Sequence, residues 1–184
     1  MYIKIFGSIF LLTSAAAIGY LKADELKERA RCLNALKRMM ILLQGELRFH
    51  RATLSEAFEN VSERAEKPFD IFLGELAKEL ESRNSGSFLI VWDEKTDQLL
   101  TNEGFKKEDK VLLEQLGNSL GYLDLTMQTE TLNLAILQTD DAIMNAKEQL
   151  EKKGKLYQTM GVTAGAFLSL LIICGWKYEY WDFV

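Results

Sequence analysis

The chain has 184 residues, 48% of them hydrophobic, and a net charge of −5, enough for one domain with a real core and without the basic surplus of a nucleic-acid surface. One Pro and 12 Gly among many Leu, Ala, Glu and Lys favour helix over sheet. Cys32 and Cys174 stand too far apart to suggest a disulfide framework, and with His50 as the sole histidine they offer no zinc site.

Charge is absent between Lys4 and Lys22, leaving IFGSIFLLTSAAAIGYL, and again between Lys155 and Lys177, leaving LYQTMGVTAGAFLSLLIICGW. Each stretch approaches the roughly 20 apolar residues that cross a bilayer. Residues 1–21 and 156–176 are therefore expected as two transmembrane segments, the second with the stronger signal. The first is short and Ala-rich, so it also reads as a signal peptide cut near Ala17, which would leave a secreted or surface-tethered helical binding module. The flanks favour a retained anchor. Lys22, Lys27, Arg29 and Arg31 follow the first segment, and Lys147, Lys152, Lys153 and Lys155 precede the second. The positive-inside rule then holds residues 22–155 in the cytoplasm.

Ala15 with Gly19, and Gly161 with Gly165, place small residues four apart on the two segments, a spacing that lets membrane helices pack closely. Residues 177–184 form a short tail. Around it, Trp176, Tyr178, Tyr180 and Trp181 suit a membrane interface.

Between the segments the apolar period is helical throughout. Leu26, Leu33, Met40 and Leu47, with Leu36 and Leu43, mark a first long helix reaching about His50. A second opens at TLSE, where Thr53 caps and Glu56 reaches back. Its face carries Leu54, Ala57, Phe58, Val61 and Ala65. Pro68 suits the first turn of a third helix with Phe69, Phe72, Leu73, Leu76 and Leu80 inward. Ser82–Ser87 reads as a loop, followed by a short helix around Trp92. A fifth helix starts after Gly104, with Glu108 and Asp109 in its first turn and Val111, Leu112, Leu116 and Leu120 inward. Gly121 is expected to end it as a left-handed cap, while Gly117 allows close helix approach. Asp124 caps a last long helix that runs without a break into the second apolar segment, its stripe being Leu132, Ile136, Thr139, Ile143, Ala146 and Leu150. The fold class is all-α: a bundle of about six helices, the first and last continuing into the terminal segments.

Gly117-Asn118-Ser119-Leu120-Gly121 matches the nucleophile-elbow pattern G-x-S-x-G. That elbow needs a strand before the serine and a histidine after it. KEDKVLLEQL has helical period, and His50 lies upstream on another helix, so Ser119 lacks a base. Glu46 and His50 share a helix face, but no Glu-x-x-His partners exist to complete a carboxylate-bridged metal site. Asp140 and Asp141 read as a solvated face. No phosphate loop is present. No catalytic residue, metal site or cofactor is predicted.

Two stretches resemble the stage III sporulation protein AB family of endospore-forming bacteria. LLQGELRFHRATLSEAF is similar to a family pattern in which Glu, an aliphatic and an aromatic residue precede T-P-L; Glu46, Leu47, Phe49, Thr53 and Leu54 occupy it, and the family proline is missing. LGNSLGYLDLTMQ resembles LG-x-x-LG-x-x-D-x-x-x-Q through Gly117, Leu120, Gly121, Asp124 and Gln128, and Trp92 stands where the family tends to have a tryptophan. The resemblance covers nearly the whole chain. It implies a non-enzymatic part of the channel complex joining mother cell and forespore, in the mother-cell membrane facing the forespore. It also implies a cytoplasmic domain similar to the platform proteins of type II secretion and type IV pilus systems. The partners it implies are the cytoplasmic hexameric ATPase of the same complex, the other membrane subunits of the channel and membrane lipid. Glu46, Arg48 and Phe49, at a helix end inside the motif, are the candidate partner-binding residues.

Overall fold

The structure is a computed structural model that describes residues 2–82, 87–102, 104–122 and 124–174. Among these residues all regular structure is helical: α1 (Tyr2–Gly45), α2 (Leu54–Ser62), α3 (Phe69–Glu81), α4 (Phe88–Asn102), α5 (Lys107–Tyr122), α6 (Leu125–Gln149) and α7 (Lys155–Cys174). Two π-helical turns, Glu46–His50 and Leu150–Gly154, extend α1 and join α6 to α7. The unbroken last helix expected from the sequence is thus interrupted by a π turn. Part of the expected Ser82–Ser87 loop, and the aromatic residues Trp176, Tyr178, Tyr180 and Trp181, lie outside the described residues.

The chain divides into two compact units, one formed by Met1–Lys27 with Lys147–Val184 and one by Glu28–Ala146. In the second unit the α1 seam is buried at Leu33, Leu36, Met40, Leu43 and Leu47. It shares a core with Phe58 and Val61 of α2, Phe69, Phe72, Leu73 and Leu76 of α3, Trp92 of α4, and Leu113, Leu116 and Leu120 of α5. Each such side chain contributes about 1.5–3 kcal/mol when withdrawn from water. From α6 come Leu132, Ala135, Thr139, Ile143 and Ala146, which recur at helical spacing.

Three local expectations are corrected. The segment around Trp92 is a full helix of 15 residues rather than a short one. Its inward positions, Trp92, Thr96 and Leu99, follow a 3.6 period that the apolar run FLIVW obscures. In α5 the inward face is Leu113, Leu116 and Leu120, whereas Val111 is exposed; Asp109, which is buried, fixes the rotation. Gly121 is not a left-handed cap: among the described residues no glycine has positive φ, and α5 continues through it.

In the first unit, the two expected transmembrane spans are not supported, because among the described residues no helix is long and apolar enough to cross a membrane. The first stretch is short and carries Gly7, Ser8, Thr13 and Ser14; the second carries Tyr157, Gln158 and Thr159 in its first turn. Residues 5–21 of the first stretch and 156–174 of the second are nevertheless helical, within α1 and α7. Outward apolar side chains are dense on them: Phe6, Ile9, Phe10 and Ile18 on α1, and Met160, Phe167, Leu168, Leu170 and Leu171 on α7. The small residues meet. A Cβ on Gly19 would come 2.5 Å from the Tyr157 carbonyl oxygen, and one on Gly161 would come 2.7 Å from that of Ala15. A Cβ on Gly165 would lie 3.1 Å from Cβ of Ala15.

Candidate docking surface

The second family-like stretch forms a corner between helices. Trp92 is fully buried, and its indole N–H donates to the Leu113 carbonyl at 2.8 Å. Phe72 meets it edge-on at 5.3 Å, with Phe88 at 5.7 Å and Phe58 at 6.2 Å. Such contacts add to simple burial when rings meet edge-to-face or offset. The ring occupies the space a side chain at Gly117 would need. One turn on, a Cβ at Gly121 would lie 2.8 Å from Phe88 Cδ1. The two glycines therefore receive α4.

Asp124 then caps α6, its Oδ1 accepting from the Met127 N–H at 2.9 Å. Gln128 reaches back, its amide donating to the Leu120 carbonyl near the end of α5 at 2.8 Å. Gly117, Leu120, Gly121, Asp124, Gln128 and Trp92 are thus one packing unit. Ser119 lies mid-helix, its hydroxyl donating to the Gln115 carbonyl at 2.8 Å, away from any strand-to-helix turn.

The first stretch forms the end of α1 and the entry to α2. Thr53 and Glu56 make the reciprocal capping box: the Glu56 N–H donates to Thr53 Oγ1, and the Thr53 N–H donates to Glu56 Oε2 at 2.9 Å. The Thr53 N–H and, after it, the Thr53 hydroxyl, which also donates to Glu56 Oε2 at 2.8 Å, hold the Glu56 carboxyl below its usual pKa. Leu54, the first residue of α2, is half-buried.

Glu46 is buried rather than presented. Arg64 pairs with its Oε1, and the Asn60 amide donates to its Oε2 at 3.3 Å. This clamp fastens the π turn to α2. Beyond it the chain points outward: Arg48, Phe49 and His50 are exposed, Phe49 at 77%. The Arg48 guanidinium carbon stands 5.7 Å from the Phe49 ring centroid, within cation–π range. The turn closes on Arg51, whose φ of 51° is left-handed. Beside this knob a groove of about 290 Å³ is lined by Gln44, Arg48, Leu125, Thr129 and Glu130 among others. Gln44 fixes its wall to α6 by donating to Asn133 Oδ1 at 2.7 Å. Of the three candidate partner-binding residues, two stand on the surface and the third braces them. His50 makes no pair with Glu46.

One buried charge pair has no counterpart in the sequence reading. Arg29 on α1 donates from Nε and one terminal nitrogen to both oxygens of Asp109 on α5, at 3.0 and 2.8 Å. Asp109 also accepts the Lys106 N–H at 2.8 Å, securing the start of α5. The Asp109 hydrogen bonds raise the Arg29 pKa above its ordinary value. The only sequence signal was an acid in a first turn, which usually faces water. Asp140 likewise departs from a purely solvated face, since Lys37 holds it at 2.6 Å. Among the described residues, no group of three or more His, Cys, Asp or Glu side chains could hold a metal ion.

These features define an all-helical bundle protein, whose distinctive residues organise helix packing and an exposed knob. Matched by its family model over residues 4–173, the chain belongs to the stage III sporulation protein AB family. It is similar to the stage III sporulation protein AB of Bacillus subtilis (strain 168), at 22% identity over 171 residues, 93% of this chain and 99% of that protein. A solved structure of stage III sporulation protein AB (SpoIIIAB) shares the fold, with a TM-score of 0.60 and 20% identity over 67% of this chain and 96% of that chain.

Proposed function

We propose that this chain is a non-enzymatic, membrane-attached scaffold subunit of the mother cell–forespore channel complex, and that the knob at Arg48–Phe49 docks the cytoplasmic ATPase of that complex. The observation carrying this reading is the family match over residues 4–173. Two features of the chain support it. The exposed apolar side chains of α1 and α7 suit contact with lipid, and small residues bring these helices together as membrane helices pack. The knob places the Phe49 ring and the Arg48 cation outside a clamped turn, residue types enriched at protein–protein interfaces.

Attachment is tested by fractionating sporulating cells and washing the membranes with alkaline carbonate. Retention in the pellet is expected, whereas release into the wash would contradict attachment through apolar helices. Orientation is tested by labelling an exposed Thr101→Cys with a membrane-impermeant maleimide in intact cells; labelling before lysis would place the bundle outside the cytoplasm. Co-purification of the ATPase from detergent-solubilised membranes tests the partner.

A further inference from the structure

A second surface of the bundle adjoins the groove beside the knob at Glu130 and runs along the outer face of α6. On α6, Met127, Glu130, Leu134, Leu137, Asp141 and Met144 recur at alternating spacings of three and four, so they form one stripe opposite the buried positions. An outward helix face is ordinarily polar. Here Met127 is 55% exposed, Leu134 55%, Leu137 63% and Met144 69%. Leu134 also borders a groove of about 400 Å³ between α5 and α6, lined by Asn118, Ser119 and Thr131 among others, which gives the stripe a hole for an incoming side chain.

The charge on the stripe selects the occupant. Its only ionised residues are Glu130 and Asp141, and among the described residues neither is held by a cation, whereas neighbouring Asp140 is already paired with Lys37. A second copy laid antiparallel on the stripe, centred between Leu134 and Leu137, would set Glu130 against the copy's Asp141, like charge on like. Anionic lipid would meet the same repulsion. We infer that this face of α6 docks an amphipathic helix of a partner protein, bearing apolar residues at three–four spacing flanked by Lys or Arg. At ~1.5 Å per residue, Glu130 and Asp141 stand about 16 Å apart along the axis, so about three turns of that helix engage both.

The test uses the full-length chain in detergent micelles and two synthetic helical peptides, with Leu at three–four spacing flanked by Lys in one and by Glu in the other. Fluorescence anisotropy is expected to show saturable binding of the Lys peptide and at least tenfold weaker binding of the Glu peptide. The Leu134→Ser/Leu137→Ser double variant should lose tenfold or more, and Glu130→Lys/Asp141→Lys should reverse the peptide preference, with circular dichroism melting unchanged. Equal binding of the two peptides, or binding indifferent to both double variants, would overturn the inference. So would a photo-crosslink from position 137 that joins two copies of this chain in cells. Capture of the chain by anionic vesicles that depends on Leu137 would overturn it equally, by assigning the face to lipid.

Discussion

Trp92 fills the space that any side chain at Gly117 would need, so the indole and the glycine form a single contact between α4 and α5. Gly117→Ala must push a fully buried ring that also touches Phe58, Phe72 and Phe88. Overpacking of this kind costs about 1–3 kcal/mol, and urea unfolding of the full chain measures it. Gly45→Ala is the matched control. Gly45 has helical φ and ψ, and a Cβ there meets nothing within 4 Å, so this change should stabilise by roughly 0.5–1 kcal/mol. Equal effects of the two substitutions would refute the packing role of Gly117.

The Arg29–Asp109 pair supplies a second prediction. Asp109→Ala leaves the buried Arg29 guanidinium with only the exposed Glu108 carboxylate, 3.6 Å away, as counter-charge, and losing the buried partner costs about 3–5 kcal/mol. Replacing both partners with apolar residues, as in Arg29→Met/Asp109→Leu, should cost much less than the single change, by the same reasoning. A double variant as unstable as the sum of the singles would mean that the pair is not coupled.

Acid should loosen the start of α2. The folded Glu56 carboxyl lies below its ordinary value of 4.5 because it accepts the Thr53 N–H and hydroxyl. Its contribution to stability is therefore complete above the unfolded pKa and disappears as pH falls through the lowered folded value. Carboxyl titration followed by NMR should show Glu56 moving upward in Thr53→Ala as the hydroxyl donor is removed. An unchanged Glu56 titration in that variant would contradict the capping geometry.

In the unit that pairs α1 with α7, the glycines should rank by what a new methyl group meets. Gly19→Ala and Gly161→Ala each press on backbone oxygen, at 2.5 and 2.7 Å, whereas Gly165→Ala has the looser fit, with the Ala15 methyl at 3.1 Å and Leu12 Cα at 3.2 Å. Thermal unfolding in detergent should place the first two well below wild type and the third close to it. The opposite order would show that these helices do not pack through Gly19 and Gly161.

Much of the helical framework was legible, because apolar residues at 3.6 spacing name a buried face wherever only one phase fits. The α1 seam from Leu33 to Leu47 and the Thr53–Glu56 box are of this kind. The misreadings arose where the deciding partner is distant in sequence. Val111, Leu112 and Leu113 are consecutive, so periodicity allowed two rotations of α5; the pairing of Asp109 with Arg29 selects one. Gly121 near a helix end carries the same letter whether it caps a helix or receives Phe88. Glu46 stood among the candidate partner-binding residues, since Asn60 and Arg64 join it only when α2 folds back. The apolar outer face of α6 was equally hidden, because the stripe through Leu132, Thr139 and Ile143 marks one buried face and leaves open what Leu134, Leu137 and Met144 meet on the other.

The docking account turns on Phe49. Its ring is 77% exposed, so Phe49→Ala should leave the melting temperature unchanged, and the clamp at Glu46 should keep the turn in place. The decisive measurement is the affinity of the purified full-length chain for the sporulation ATPase, wild type against Phe49→Ala. The account predicts at least tenfold weaker binding for the variant, a loss of about 1.4 kcal/mol or more. Wild-type affinity in a correctly folded Phe49→Ala protein would contradict it.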